Sequence, residues 1–375
     1  MPGVVRILSL DGGGIRGLLS AQVLLNLAKA LGREGQEFAE SFHMIAGTST
    51  GGIMAAGLCA PGQAKHKPSD LVALYRDQGA KIFDRSWFGN IFNPMGVREE
   101  TYSADALEEI LRDRLGDALL SDAGPELLVT SYDIERASVR IFKSWRARLA
   151  QKDNYRLRDV ARATSAAPTY FEPALIYNRD ETLPIEARRA ALVDGGVFAN
   201  NPAMCVWSEA RRIYPDADSI LIVSIGTGGR QAPIPYGAAK AWGKVGWATR
   251  ISDLLMDGVA DTVDYQLATL ADDKWLHWHR IQVELTGAGM KGAKLPPFKD
   301  KDGKPLGFGM DDVDAASLNA LIALGDHAWK DFAARNDGKD LAKLVKMLKA
   351  PKADTDSLGY EPDAPTPLEK MGLEA

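Results

Sequence analysis

Short apolar runs alternate with segments of helical pattern along most of the chain, and this alternation limits the possible folds more than any other feature. The strand-like runs are VVRILSL, FHMIAG, ELLVTSYDI, ALVDGG and SILIVSIGTG. Helical patterns follow the first two, from about Leu18 to Leu31 and from about Gly52. Such alternation is typical of a largely parallel sheet that helices cover. The sequence therefore predicts an α/β fold with its ligand chemistry at the carboxyl ends of the strands.

Composition bounds the protein class. The chain has 375 residues, of which 46% are hydrophobic, enough for a substantial core. Its 45 Lys and Arg against 50 Asp and Glu give a net charge of -5, so no global charge favours binding to nucleic acid. Cys59 and Cys205 lie in apolar contexts and predict buried thiols, not a disulfide framework. Without a secretory signal at the start or an apolar stretch of about 18 residues, a cytoplasmic protein is expected.

Three consecutive glycines interrupt the first strand–helix unit, in the stretch LSLDGGGIRGLL. Gly12, Gly14 and Gly17 fit the spacing G-x-G-x-x-G, so a dinucleotide pyrophosphate at a helix N-terminus is one hypothesis. A dinucleotide site also expects an acidic residue about 20 residues further on, at the end of the second strand. That strand ends in Ala46 and Gly47 instead, which argues against a nucleotide. The backbone N–H groups of this turn are equally suited to a transient oxyanion.

A second glycine-flanked turn, GTSTG at Gly47–Gly51, follows the short apolar run MIA and precedes a helix of small residues. This is the G-x-S-x-G pattern in the strand–turn–helix context that gives it meaning. Gly47 and Gly51 relieve crowding where the backbone reverses. The pattern predicts that Ser49 is exposed at the turn, above a helix N-terminus, as a nucleophile.

A third turn, in ALVDGGVFANNP, places Asp194 at the end of a strand with Gly195 and Gly196 after it. A carboxylate at this position is a candidate base. The same side chain is equally suited to an Asx-turn or a helix cap, so this motif alone leaves both interpretations open. Together the three turns supply an anion-binding backbone, a nucleophile and a base, which are the parts of an acyl-transfer site.

A Ser-His-Asp triad on an α/β-hydrolase fold is the alternative, because the chain order Ser…Asp…His permits His277, His279 or His327 as the base. The first two alternate in the strand-like run DKWLHWHRIQV and so share one face, while His327 lies in the helical pattern LIALGDHAWKDF. A structural role for all three histidines is the competing interpretation.

The motifs DGGGIRG, GTSTG and DGG, in this order, resemble those of the patatin-like phospholipase family. The similarity extends to LYRDQGAKIFD, TSYDIERASVRIF, ATSAAPTYFEP and VSIGTG, and covers roughly residues 6–330. The resemblance implies a three-layer α/β/α fold with a mainly parallel central sheet. It also implies a Ser–Asp dyad that cleaves fatty acyl esters of phospholipids or galactolipids, without a cofactor or a metal ion.

Carried over residue by residue, the resemblance makes Ser49 the nucleophile and Asp194 the base. It places the oxyanion hole at the backbone N–H groups of Gly12, Gly13 and Gly14. The remaining motif residues that it implies as supports are Asp11, Arg16, Gly17, Gly47, Gly51, Gly195 and Gly196. The guanidinium of Arg16 either supports the glycine turn or meets a lipid phosphate; the sequence leaves both roles open.

These observations predict a serine lipid acyl hydrolase that forms an acyl-enzyme on membrane glycerolipids. The expected organisation is a patatin-like domain over residues 4–335, then a C-terminal helix and a poorly ordered tail over residues 336–375. Two further hypotheses share the same motifs: a lipid-binding or signalling module with a vestigial site, and an acyltransferase that uses an alcohol in place of water.

Two segments are candidates for transient contact with a membrane surface. Between Glu135 and Arg162, nine Lys and Arg against three acids could attract anionic headgroups, unless this is an ordinary solvated face. The stretch KDLAKLVKMLKA, from Lys339 to Ala350, has the pattern of a basic amphipathic helix, which either lies on a membrane or packs against the domain. The expected location is therefore cytoplasmic or peripheral at the membrane.

Two further stretches lack a clear period. Residues 61–100 predict either a lid at a lipid-contacting edge or an excursion that buries its own aromatic cluster of Phe83, Trp87, Phe88 and Phe92. The stretch GAKLPPFKDKDGKPLGFGM, residues 292–310, predicts a long loop.

Overall fold

A computed structural model describes residues 3–82, 104–168, 170–229, 234–243, 247, 251–271, 274–285, 290 and 308–365, with only the backbone at 252–253. The predicted aromatic cluster of Phe83, Trp87, Phe88 and Phe92 and residues 292–307 of the predicted long loop lie outside these ranges, and both interpretations stay predictions.

Eight strands within the described residues form one sheet. Their bounds are β1 Val4–Leu10, β2 Met44–Gly47, β3 Glu126–Asp133, β4 Ser138–Lys143, β5 Ala174–Tyr177, β6 Arg189–Asp194, β7 Ser219–Ile225 and β8 Leu276–Ile281. Strands β3, β2, β1, β7 and β8 pair in that order and are parallel. Strands β4 and β6 run antiparallel to β3, and β5 runs antiparallel to β6. The predicted α/β class with a mainly parallel sheet is confirmed.

Helices lie before and after most strands. Their bounds are α1 Gly17–Leu31, α2 Thr50–Cys59, α3 Pro68–Ile82, α4 Asp105–Leu115, α5 Ser144–Leu149, α6 Leu157–Thr164, α7 Ile185–Arg188, α8 Gly196–Ala199, α9 Ala203–Ile213, α10 Tyr236–Ala241, α11 Ile251–Leu270, α12 Ala315–Ala334 and α13 Lys339–Lys349. The first helix ends where Gly32 adopts a left-handed conformation with φ 65°, which glycine takes at little cost.

Alternate residues of β1 face two separate cores, one on each side of the sheet. Leu8 and Leu10 belong to a core that includes the buried residues of α1, α2 and α12. Val5 and Ile7 belong to a second core, with Val206 and Ile213 of α9. All seven residues of β1 are buried, which explains its nearly unbroken apolar sequence. Helices cover both faces, so the fold has the three layers that the resemblance implies.

The C-terminal region packs against the sheet domain further along the chain than expected. Leu344, Met347 and Leu348 of α13 are buried in the first core, so the predicted amphipathic helix packs against the domain. Beyond it, Leu358 is fully buried and the ring of Tyr360 stacks on Tyr214, with centroids 5.3 Å apart. The predicted poorly ordered tail is therefore held in place at least to this point, because it supplies apolar groups that the sequence pattern did not reveal.

Most of the cations in the predicted basic segment have acidic partners. Seven of the nine form salt bridges within the described residues: Arg136, Arg140, Lys143, Arg148, Arg156, Arg158 and Arg162. Five of their seven different partners lie outside the counted window, so a local count overstated the charge; these five are Glu108, Asp117, Glu126, Asp133 and Glu209. Among the described helices, none is long and apolar enough to cross a bilayer.

A buried arginine of β1 joins the C-terminal segment to the sheet. The guanidinium of Arg6 donates hydrogen bonds to the carbonyl oxygens of Leu348, Ala350 and Pro351, at 3.1, 2.8 and 2.7 Å. These oxygens lie at the C-terminal end of α13, where a cation also complements the helix dipole.

We therefore expect Arg6→Met to lower the free energy of unfolding by about 2 kcal/mol, since three carbonyls would lose a charged donor. Urea denaturation measures the loss, and limited proteolysis should show earlier cleavage after residue 348. The exposed Arg76, which pairs with its neighbour Asp77, is the matched control: Arg76→Met should change stability by less than about 0.5 kcal/mol. Equal effects of the two variants would contradict the role of Arg6.

Candidate active site

Ser49 occupies a sharp turn between β2 and α2. Its backbone has φ 54° and ψ -126°, a conformation that a residue with a side chain rarely adopts and that costs on the order of 1–3 kcal/mol. The turn is held by a hydrogen bond from the Ser49 N–H to Thr164 Oγ1, at 2.8 Å. The hydroxyl of Ser49 is thus presented at the N-terminus of α2, in the strand–turn–helix context of its motif.

The glycines on either side of Ser49 are required by close backbone contacts. A Cβ at Gly47 would lie 2.1 Å from the carbonyl oxygen of Gly51, and one at Gly51 would lie 2.2 Å from that of Leu10. A methyl group at either position would therefore push rigid backbone apart and displace Ser49.

Asp194 ends β6 and is 1% exposed. Its Oδ1 accepts a hydrogen bond of 2.7 Å from the N–H of Gly196, and the side chain of Ser49 lies close enough to its carboxyl group to affect its pKa. Burial raises the pKa of Asp194 to about 7, although Ser49 and the N–H of Gly196 act to lower it. A Cβ at Gly195 would lie 2.2 Å from Thr130 Oγ1, which explains the small residue after the aspartate.

Strand register explains how Ser49 and Asp194 meet. Gly47, at the end of β2, pairs with Val129 of β3, while Asp194 pairs with Ser131, two residues further along β3. Strand β4 pairs with β3 from Leu128 onward. Since each strand has two edges, β2 and β6 must share the other edge of β3, running towards each other. The prediction that Asp194 lies at the end of a strand is confirmed, whereas nothing in the sequence pattern indicated this antiparallel approach.

The glycine turn lies against Ser49. A Cβ at Gly12 would lie 3.1 Å from the Cβ of Ser49. The N–H of Gly12, however, donates to the carbonyl oxygen of Asn200 at 3.0 Å. Within the described ranges, neither the N–H of Gly13 nor that of Gly14 donates a hydrogen bond. Two of the three predicted oxyanion donors are therefore available to a ligand, and the third instead fixes the turn.

The glycine turn is held by Thr227, which the sequence did not single out, and by Arg16, which it did. Thr227 Oγ1 donates to the carbonyl oxygen of Gly12 at 2.7 Å. The guanidinium of Arg16 is buried and contacts the carbonyl oxygens of Gly13 and Gly228, at 3.3 and 3.4 Å. The sequence left two roles open for Arg16, support of the glycine turn and contact with a lipid phosphate; these contacts correspond to the first. At the start of α1, a Cβ at Gly17 would lie 2.4 Å from Thr50 Oγ1.

Asp11, just before the glycines, belongs to a buried ionic network. Arg280 of β8 donates to Asp11 Oδ2 at 2.6 Å and to Asp264 Oδ2 at 3.1 Å, and it also bonds Ser224 Oγ at 3.0 Å. Asn201, seven residues after Asp194, donates in turn to Asp264. The network links the glycine turn to the segment that follows the aspartate. No local pattern could have found Arg280, which is 269 positions from Asp11.

Ser49 and Asp194 open into a pocket with mainly apolar walls. The pocket is lined by Gly13, Gly14, Ser49, Thr50, Ile53, Tyr75, Ile82, Leu107, Ser165, Ala167, Tyr170, Phe171, Asp194, Asn200, Met256 and Met310. No histidine is among these residues. Such a site combines a few polar groups with a large apolar surface, as expected for a ligand with a hydrocarbon part.

The histidines of the alternative triad lie elsewhere. His277 and His279 are in β8, and strands β1 and β7 lie between β8 and β2. At about 4.8 Å per strand spacing, these histidines are about 14 Å across the sheet from β2, the strand that leads to Ser49. Burial lowers the pKa of His279 to about 4, and its ring packs edge-on against Phe332. His327 lies in α12, outside the pocket wall. The structure does not bring any of the three to Ser49.

Comparisons with known proteins agree with the motifs. A sequence model for patatin-like phospholipases matches residues 8–207. Patatin-like proteins 4 and 2 of Arabidopsis thaliana are 33% and 34% identical to this chain over 295 residues, which cover 71% of it and 72% of each relative. The solved structure of human GIVD cytosolic phospholipase A2 with methyl gamma-linolenyl fluorophosphonate aligns with 96% of this chain and 60% of its own, at a TM-score of 0.40 and 12% identity.

The raised pKa of Asp194 has a consequence for stability. In the unfolded chain this carboxyl group ionises near its ordinary value of 3.8, whereas in the folded protein it keeps its proton up to about pH 7. Between these values the folded state binds more protons, so this group makes the free energy of unfolding fall as pH rises.

We expect the variant Asp194→Asn, which cannot ionise, to lack this contribution. The free energy of unfolding of the variant minus that of the wild type should therefore become more positive as pH rises from about 4 to about 8. Urea denaturation across this range measures it. A difference that is independent of pH would show that Asp194 titrates at its ordinary pKa in the folded protein.

Proposed function

Because the chain belongs to the patatin-like phospholipase family, we propose that it is a serine lipid acyl hydrolase that uses Ser49 and Asp194 as a catalytic dyad. Membership of this family supports lipid hydrolysis in general. The finer assignment rests on one observation: Ser49 and the buried carboxyl group of Asp194 line one pocket, together with two glycines whose backbone N–H groups donate to no described residue. The proposed substrate is a phospholipid or another acyl glycerolipid, met at the membrane surface.

In the proposed first step, Asp194 accepts the proton of the Ser49 hydroxyl while Oγ attacks the acyl carbonyl carbon. The carbonyl oxygen becomes an oxyanion, and the N–H groups of Gly13 and Gly14 stabilise it. Removing one such donor typically costs on the order of 3 kcal/mol in the transition state. Asp194 then returns the proton to the departing lysolipid oxygen, and the acyl group stays on Ser49 as an ester.

In the second step a water molecule takes the place of the lysolipid. Asp194 accepts a proton from this water as it attacks the acyl-enzyme, and the same N–H groups stabilise the second oxyanion. Collapse breaks the bond to Ser49 Oγ, which regains its proton from Asp194. The products are a fatty acid and the unchanged enzyme.

A carboxylate without a histidine is a credible base in this setting. The pKa of Asp194, about 7, makes it a stronger base than an exposed carboxylate and places it near neutral pH, where both of its protonation states are accessible. Gly196 holds one carboxylate oxygen, so the group needs little rearrangement to accept a proton.

We expect Ser49→Ala and Asp194→Asn each to reduce fatty acid release from phosphatidylcholine vesicles by at least about 10³-fold, because both residues act in the same proton transfer. The matched controls are His277→Asn and His279→Asn, which should retain activity. A large loss in a folded histidine variant, or substantial activity in either dyad variant, would refute the dyad.

A fluorophosphonate probe tests the nucleophile directly, since only an activated serine reacts rapidly with it. The wild type should be labelled, with the adduct on Ser49 in a peptide digest. Ser165 lines the same pocket, but its hydroxyl donates to the carbonyl oxygen of Ala161, so Ser165→Ala should retain labelling while Ser49→Ala loses it. A wild type that neither reacts nor hydrolyses lipid would be a vestigial module.

The pH dependence of the reaction follows from the base. Asp194 must be ionised to accept a proton, so kcat/KM should rise with pH through an apparent pKa near 7 and then level off. Initial rates on a soluble ester over about pH 5 to 9 measure this profile. A midpoint near 4, or a flat profile over this range, would mean that Asp194 is not the base.

A further inference from the structure

The helix that follows Ser49 also forms the wall of a second cavity. Ile53 and Gly57 are four residues apart, so both lie on one face of α2. Ile53 lines both the pocket at Ser49 and a smaller neighbouring cavity, and Gly57 lines the neighbour alone. With a rise of 1.5 Å per residue, Gly57 is about 12 Å along the helix axis from Ser49.

The two cavities lie side by side. They share the lining residues Ile53, Tyr75, Ile82 and Leu107, so only these side chains stand between them. The second lies between α2, α3 and α4, and leucine and isoleucine side chains dominate its lining. This surface suits a hydrocarbon chain and offers little to a polar headgroup.

Gly57 differs from the other glycines of α2. Cβ atoms at Gly51 and Gly52 would lie 2.2 Å and 2.6 Å from their nearest neighbours, so packing excludes a side chain there. A Cβ at Gly57 would meet His66 Cγ at 3.4 Å and Leu71 Cδ2 at 3.7 Å, which are ordinary contact distances. Both of these residues line the second cavity.

Packing therefore does not require glycine at position 57. A glycine within a helix is less favourable than alanine by about 1 kcal/mol, and here its φ is not in the left-handed region that would justify it. The absent side chain instead leaves space open in the cavity wall.

We propose that the second cavity binds the distal part of a long acyl chain whose carbonyl group lies at Ser49, and that Gly57 determines acyl-length specificity by keeping this cavity open. The proposal rests on the proposed function, because the acyl chain is that of the lipid substrate. A butyryl chain stays within the first pocket, whereas a palmitoyl chain extends past Ile53 towards Gly57.

The test compares kcat/KM for p-nitrophenyl butyrate and p-nitrophenyl palmitate. Gly57→Val fills the cavity wall and should lower the palmitate/butyrate ratio by about 10-fold or more, as expected for an added group in a hydrophobic pocket. Butyrate hydrolysis should stay within about 2-fold of wild type, since the change is remote from Ser49. Gly57→Ala should shift the ratio in the same direction by less.

Gly258→Ala is the matched control. Gly258 is also within a helix, α11, and a Cβ there meets nothing within 4 Å. Both alanine variants should keep or raise the melting temperature, so that a loss of palmitate hydrolysis in Gly57→Ala alone reports the cavity and not unfolding. If Gly57→Val fails to fold, the ratio in Gly57→Ala decides. An unchanged ratio in the folded variants overturns the proposal.

A binding measurement separates failure of this proposal from failure of the proposed function. In the Ser49→Ala background, calorimetry should show that palmitate binds and that Gly57→Val weakens its binding by about 10-fold or more. This result does not depend on catalysis: it would support the acyl cavity even in a protein that hydrolyses no ester. Equal palmitate affinity with and without Gly57→Val would overturn the cavity assignment even if the dyad is active.

Discussion

The geometry of the candidate active site depends on two strands that share one edge of β3. Strand β2 has only four residues and pairs with β3 as far as Val129. From Ser131 onward, the same edge of β3 pairs with β6, which runs in the opposite direction and ends at Asp194. Had β2 continued by two residues, it would have occupied the place of β6. The distance between nucleophile and carboxylate is therefore set by backbone register, which is far more rigid than a contact between two side chains.

The local parts of this arrangement could be predicted from sequence, and the long-range parts could not. Gly47, Ser49 and Gly51 are informative because a sharp strand-to-helix turn imposes its own residue requirements within a few positions. Burial of β1 on both faces was likewise readable from its apolar run. By contrast, the N–H of Gly12 donates to the carbonyl oxygen of Asn200, and the carboxylate of Asp11 is paired with Arg280. Such partners are separated by nearly two hundred residues or more, and residue type alone does not identify them.

Charge patterns were the least reliable guide for the same reason. A surplus of cations counted along one segment ignores acids that the fold brings in from elsewhere, as Glu209 does for Lys143 and Glu108 for Arg162. The C-terminal segment shows the converse effect. Its sequence is polar and contains several prolines, yet Leu358 and Tyr360 find apolar partners, and Arg6 satisfies the carbonyls that precede them. Order there depends on complementary groups in β1 and α9, not on the segment's own propensity.

Burial has two different effects in the proposed reaction, one on the base Asp194 and one on the N–H groups of the glycine turn. Around Asp194 it disfavours the charged carboxylate, which raises the pKa and makes the group a stronger base at the moment when Ser49 must lose its proton. Beside it, the N–H groups of Gly13 and Gly14 are strong donors to an oxyanion because little water competes with them. A serine hydroxyl is a much weaker acid than any carboxylic acid, so full transfer of its proton to Asp194 is unfavourable before the bond to carbon forms. In the proposed reaction, proton transfer, attack and oxyanion stabilisation must therefore occur together. Such a reaction requires the strand register that joins Ser49 to Asp194 also to present the glycine turn, and requires this turn to be held firmly in place.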